Sequence, residues 1–343
     1  MSPEVRLVAL PFNFSPPTFM GATYRADFDM SKTTTVYLHA NARELLPTPG
    51  GTHIGRLRVV TAGRAEVTVK ARIYVLCAGG IEIPRILLNS DSVIPGGVGN
   101  DHDLVGRFFM SHYPIQGFGK VLFVVKDLAA VTRSLFSRTL RYLCLADEVR
   151  REQQLLAAGF LFHPEGAYGF VGRNPQSMEQ VLPAFESLLR GDGLWTRAFP
   201  VLAVPEQAPN RESRVLLGAE KDFTGMRRVR LQFRRSAADR ESFRKTVELV
   251  SREFGRNSLG RLQTMFTEDA LPTLRPDQHH MGTTRMHRDP RQGVVDPDGR
   301  VHGIDNLYIA GPSVYPSAGF ANPVLTIIAL ALRLADHLKA KAA

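Results

Sequence analysis

The chain has 343 residues, 44% hydrophobic and 22% charged, which excludes a fibre or a disordered tail and is long enough for two domains. Its two cysteines, Cys77 and Cys144, are too few for a disulfide scaffold and lie in no Cys-x-x-Cys or Cys/His cluster, so no metal is expected and a reducing cytoplasm fits. The formal charge of +10 raises nucleic-acid binding, but the 43 basic residues are scattered, and the densest stretch, Arg227 to Arg240, mixes with apolar residues at strand spacing as a solvated sheet face does.

The proline-rich start, with Pro3, Pro11, Pro16 and Pro17, has no basic segment followed by an apolar one, and no cleavable signal is expected there. Three alternating segments follow, Thr35 to Ala40, Ile54 to Thr61 and Glu66 to Cys77, and predict an antiparallel meander with its first turn at Pro47 to Gly51. The third segment ends in the apolar run Ile73 to Cys77, then Ala78-Gly79-Gly80 and a helical pattern from Glu82 to Leu88. Strand, small-residue turn and helix is the geometry that brings backbone close to a nucleotide. A loop rich in Gly and Asp runs from Asp91 to Gly106.

From about Phe108 to Pro272 the texture changes. Strand-like runs, Val121 to Val125 and Val229 to Phe233, mix with helical stretches, Ser177 to Leu189 and Asp239 to Phe254, and read as a domain inserted into the first. The end returns to the earlier style, with a strand from Asn306 to Ala310, a turn at Gly311-Pro312, a loop to Pro323 and a helix from Val324 to Lys339. The near-apolar run at the start of that helix is far short of the about 20 residues that span a bilayer. Asn322-Pro323 reads as an N-cap followed by proline at the first helical position, and a helix N-terminus presents free N–H groups to an anionic or electron-rich ring.

The segment His279-His-Met-Gly-Thr-Thr-Arg-Met-His287 gathers histidine and glycine in a stretch that is neither a clean strand nor a clean helix. No third ligand at helix or loop spacing supports a metal, and His287 and His302 read as structural or solvated.

Together with Val295-Asp-Pro-Asp-Gly-Arg-Val-His-Gly-Ile-Asp-Asn-Leu-Tyr-Ile-Ala-Gly311 and Ala321-Asn-Pro-Val-Leu-Thr326, this segment closely resembles the C-terminal signature of the glucose-methanol-choline (GMC) oxidoreductases, flavoenzymes that oxidise alcohols. Tyr37 to Leu46, Tyr74 to Glu82, Leu104 to His112 and Glu206 to Leu216 also resemble family segments, so the likeness runs from about Phe19 to the C-terminus and is weakest between Lys120 and Leu202. The resemblance implies a catalytic pair of His279 and Asn322, similar to the sugar-oxidising branch, with His279 preferred over the adjacent His280 by its register against Gly282-Thr283. It implies noncovalent FAD contacted at Ala42, Ala78, Gly79, Gly311, Pro323 and Val324, and a sugar, polyol or glycoside substrate oxidised by hydride transfer to flavin N5. The fold class expected is α/β with α+β character: an incomplete doubly wound FAD-binding domain with an antiparallel meander (1–107), an inserted sheet-and-helix substrate domain (108–271), and a return to the first domain (272–343).

The sequence departs from this pattern in one respect. No strand is followed by G-x-G-x-x-G and a helix; the nearest string, Gly97-Val-Gly99-Asn-Asp-His102, has histidine at the third glycine and follows a Pro-Gly loop. The strands ending near Ala78 and Ala310 are therefore expected to keep unpaired edges and bare apolar faces, and a second polypeptide is the expected source of the dinucleotide-binding part. A non-catalytic remnant or accessory subunit of such an enzyme stands as the alternative.

Overall fold

The computed structural model describes residues 6–12, 18–123, 140–162, 197–264 and 276–342. The chain divides into two compact units, one drawn from 37–112, 207–236 and 275–343, the other from 1–36, 113–206 and 237–274.

The first unit contains the meander, β2 (Ala40–Pro47), β3 (Ile54–Thr61) and β4 (Glu66–Val69), antiparallel in that order. Its first strand begins where the predicted one ends. The alternation in 35–40 is not a strand, and Val36, Tyr37 and Leu38 are exposed, whereas the register Leu45↔Leu57 sets Leu45 into the core with Ile54. The predicted third strand also breaks in two. After β4 the chain turns, and β5 (Tyr74–Leu76) pairs in parallel with β13 (Leu307–Ile309). Buried Asn306 fixes that crossing: its Oδ1 accepts from the Ile54 N–H at 2.8 Å, and its Nδ2 donates to the carbonyls of Ile54 at 3.0 Å and Arg72 at 3.2 Å.

Directly after β5 comes α3 (Gly79–Asn89), which turns Ile83, Ile86 and Leu87 into the core. The hairpin of β10 (Arg214–Lys221) and β11 (Arg227–Gln232) is tied to it, Arg85 Nε donating to the Arg227 carbonyl at 2.9 Å. Along β11 exposure alternates, with Arg228 and Arg230 outward, as a solvated basic face requires.

The outer edge of β13 is covered, against expectation. Val301 N–H donates to the Leu307 carbonyl at 2.9 Å and Ile309 N–H to that of Gly299 at 2.8 Å, so residues 299–301 serve as the missing neighbour. The far edge of β5 has no strand partner among the described residues. The C-terminal helix α6 (Val324–Ala342) packs Ile327 and Leu330 against the core and buries Leu334, yet exposes Val324, Leu325, Ile328 and Leu332, with Leu325 at 81%. An apolar helix face of this kind is one that globular proteins ordinarily bury.

The second unit is built on a six-stranded antiparallel sheet ordered β1-β7-β8-β9-β6-β12: β1 (Leu7–Phe12), β6 (Ile115–Phe123), β7 (Leu140–Leu145), β8 (Ala158–Phe162), β9 (Arg197–Pro205) and β12 (Gly260–Thr264). That β1 lies in the proline-rich start is compatible with its place: Pro11 donates no N–H, and an edge strand tolerates that. Phe118, Phe160 and Phe243 form an aromatic cluster, the last supplied by α5 (Ala237–Arg256). The short helices α1 (Met20–Thr23), α2 (Arg25–Met30) and α4 (Asp147–Glu152) complete it. The helix predicted at Ser177 to Leu189 lies outside the described residues. No helix among the described residues is long and apolar enough to cross a membrane.

Candidate active site

The loop carrying His279 is stitched on two sides. Met110 and Met281 exchange backbone hydrogen bonds of 3.0 and 2.9 Å, and Asp277 N–H donates to the His112 carbonyl at 2.9 Å, so residues 110–112 run beside 277–281. On the other side Gly282, Thr284 and Met286 donate from their N–H groups to the carbonyls of Pro312, Ser313 and Val314, joining the loop to the turn that follows β13.

Beneath it lies the first turn of α3. Pro84 has no N–H, so the Gly80 carbonyl four residues earlier lacks its helical donor, and the buried Thr283 hydroxyl donates to it at 2.6 Å. A Cβ on Gly80 would sit 2.3 Å from the His280 carbonyl oxygen, which shows how closely the helix approaches the loop. Thr283→Val removes that donor at constant shape. A buried orphan carbonyl costs about 1–3 kcal/mol, so the urea midpoint of the variant should fall by that equivalent with the slope unchanged.

His279 itself is half-buried, and burial pushes its pKa below the ordinary imidazole value, keeping the ring neutral and able to take a proton at pH 7. Its Nδ1 is enclosed without a hydrogen-bond partner. His280 is likewise pushed down, by burial first and by His279 second, but its ring packs against Phe109, with centroids 5.5 Å apart. His287 and His302 are structural: His287 Nδ1 accepts the Asp289 N–H at 2.9 Å, and His302 Nε2 lies 2.9 Å from the His287 carbonyl.

Asn322, the predicted cap, is exposed and lies one residue before the cap the structure forms. The Ile327 N–H donates to the Pro323 carbonyl at 3.0 Å, so Pro323 occupies the cap and the Asn322 amide is not consumed in starting the helix. The backbone is held at the residue before it and at the residue after it. His112 Nε2 lies 3.0 Å from the Ala321 carbonyl, and the Tyr315 hydroxyl donates to that of Pro323 at 3.0 Å.

His112 is the residue sequence reasoning passed over. Besides holding Ala321, its ring meets His279 edge-on, with centroids 4.9 Å apart, and so joins the two predicted catalytic residues. At 1% exposure its pKa is pushed down to about 4, by burial first and by the adjacent His279 second.

The residues predicted to meet the cofactor fall on four elements. Ala78 and Gly79 follow β5 and open α3, Gly311 follows β13, Pro323 and Val324 open α6, and Ala42 lies in β2. Because β5 and β13 are parallel, with Leu76 opposite Ile309, their carboxyl ends lie side by side, the position where open α/β sheets take nucleotides. Gly79 and Gly311 have φ of 82° and 128°, and no atom lies within 4 Å of where a Cβ would stand on either. That open backbone beside a helix N-terminus fits a flavin dinucleotide. Among the described residues no group of three or more His, Cys, Asp or Glu side chains is placed to hold a metal ion.

Residues 209–331 match the C-terminal domain model of the GMC oxidoreductases. The chain is 32% identical to 6'''-hydroxyparomomycin C oxidase of Streptomyces lividus over 79% of its own length and 46% of the relative's. It is 29% identical to paromamine 6'-oxidase of Streptomyces fradiae, over 80% of this chain and 46% of that one. With the fructose dehydrogenase large subunit of Gluconobacter japonicus it shares 27% identity over 78% and 47%. The chain thus spans about half the length of these relatives. Among solved structures it resembles pyridoxine 4-oxidase from Mesorbium loti, with a TM-score of 0.53 at 19% identity over 87% of this chain and 57% of that one, a likeness of fold.

Proposed function

We propose that this chain, whose residues 209–331 are a GMC oxidoreductase C-terminal domain, is the catalytic part of an FAD-dependent oxidoreductase acting on CH–OH groups of a sugar, polyol or glycoside. The observation that carries the reading is the neutral, half-buried His279 joined through His112 to the loop that presents Asn322, in the same unit as the open carboxyl ends of β5 and β13. The relatives named for oxidising paromamine, a hydroxyparomomycin and fructose support the substrate class.

In this reading His279 accepts the proton of the substrate hydroxyl, and the Asn322 amide donates to the same oxygen and fixes its position. The carbinol hydrogen then leaves with its electron pair, so the alcohol becomes a carbonyl. Noncovalently bound FAD supplies the acceptor for that hydride. Ala42, Ala78, Gly79, Gly311, Pro323 and Val324 are the positions proposed to hold it, and 108–271 is the proposed substrate-binding part.

A dinucleotide-binding fingerprint is not among these residues, and further polypeptide, such as a second chain, is proposed to supply it. Supporting that assignment are the free edge of β5 and the bare face of α6, apolar surface that costs free energy unless covered. The visible absorption of the purified chain, alone and after co-expression with the gene immediately upstream, tests both parts. Flavin bands are expected only in the co-expressed sample. Bands in the chain alone would overturn the second-chain assignment, and bands in neither sample would favour the non-catalytic reading.

A further inference from the structure

Two buried nitrogens in the site lack partners, Nδ1 of His112 and Nδ1 of His279, and they belong to rings in edge contact. Buried polar atoms are rarely left unpaired, and each exception calls for an explanation. The roles follow from the bonds already made. The Ala321 carbonyl can only accept, so His112 must carry its proton on Nε2, and its Nδ1 is left as a lone pair. An acceptor therefore lies in a ring that packs against His279, whose own Nδ1 is likewise unpaired.

We infer that His112 is a positioning residue: in the working enzyme the two rings, already in edge contact, close to a hydrogen bond that neither Nδ1 makes here, the His112 Nδ1 accepting the Nδ1–H of His279 and holding His279 in the tautomer whose Nε2 lone pair is free for the substrate hydroxyl, while its Nε2–H anchors the peptide before Asn322. One buried ring thus orients both members of the catalytic pair. The Tyr315 hydroxyl completes the arrangement by holding the Pro323 carbonyl on the other side of Asn322. The depressed pKa of His112 agrees, because a protonated ring would have no lone pair to offer. The protons balance without a further reactant: His112 stays neutral, and only His279 changes its proton count when the substrate hydroxyl is deprotonated.

The inference rests on His279 being the base, and its test is separable from that reading. In the full protein as isolated, with any partner and flavin it carries, nitrogen NMR of isotopically labelled histidines, assigned by loss of the His279 signals in His279→Ala, reports the tautomer directly. The expected result is Nδ1–H on His279. A wild-type His279 protonated on Nε2 would overturn the inference without need of any variant. His112→Phe, which keeps the ring and loses both nitrogens, should release the Nδ1–H preference and slow flavin reduction by D-fructose or paromamine about 10²-fold, as misplacement of a catalytic group does. His112→Asn, whose Oδ1 stands near the lost Nδ1, should restore the tautomer but not the anchor on Ala321. A His112→Phe protein that keeps the wild-type tautomer and rate would show that the ring only fills space. If His279→Ala reduces flavin normally while the tautomer is as expected, the base assignment fails and the pairing stands.

Discussion

Replacing His279 with alanine should slow substrate-dependent flavin reduction by about 10²- to 10⁴-fold, the contribution of a positioned general base, while leaving bound flavin in place. The size follows from what the side chain is asked to do. An alcohol does not give up hydride readily while its oxygen keeps its proton, and the histidines around His279 are engaged elsewhere. His280 packs on Phe109, His112 spends Nε2 on Ala321, and His287 and His302 are bound into their own loop. Stopped-flow reduction under anaerobic conditions isolates the step from reoxidation. Its pH dependence adds a second test. Burial lowers the His279 pKa from 6.5, so the neutral, base-competent ring persists below that value and the acid limb of the rate profile should lie below pH 6.5. An acid limb above it, or a His279→Ala enzyme reduced at the wild-type rate, would assign the proton transfer to another group.

The parts of this site legible in the sequence are those written in contiguous residues. Ile73 to Leu88 declares a strand, a glycine turn and a helix because an apolar run, two glycines and a helical period follow one another, and β5 and α3 are found there. The loop 279–287 declares itself by composition. What is not legible depends on contacts made over long separations. His112 follows Phe-Phe-Met-Ser like any residue at the end of a buried segment, and nothing local says that its ring meets one 167 positions later; only the pairing of 110–112 with 277–281 brings them together. Pro84 looks like a helix breaker until Thr283 is seen to satisfy the carbonyl it orphans. Pro11 likewise argues against a strand until β1 proves to be an edge. The alternation in 35–40 misleads for the converse reason: its apolar residues have no core to face, since Tyr37 and Leu38 lie exposed.

The same burial that makes His112 useful makes the protein sensitive to acid. In the folded chain the ring takes up a proton only near pH 4, whereas in the unfolded chain it does so near 6.5. Between those values the unfolded state binds more protons, so stability falls as the pH is lowered from 6.5 to 4, and it falls no further below that on account of this group. Each pKa unit is worth about 1.4 kcal/mol, and the loss from His112 alone should reach about 3 kcal/mol, a large part of a typical domain's stability. Desolvation lowers its pKa most, His279 adds to that, and the hydrogen bond to Ala321 and the charge of Asp277 work the other way. His112→Gln, which still donates to the Ala321 carbonyl but does not titrate, should lose this component. Urea midpoints of the two proteins at pH 6.5 and pH 4 therefore isolate it, since His279, His280 and the carboxylates titrate in both. The wild type should drop more than the variant by nearly the full amount. Equal drops would mean that His112 is protonated in the fold with little penalty, and a charged ring there could not serve as the acceptor for His279.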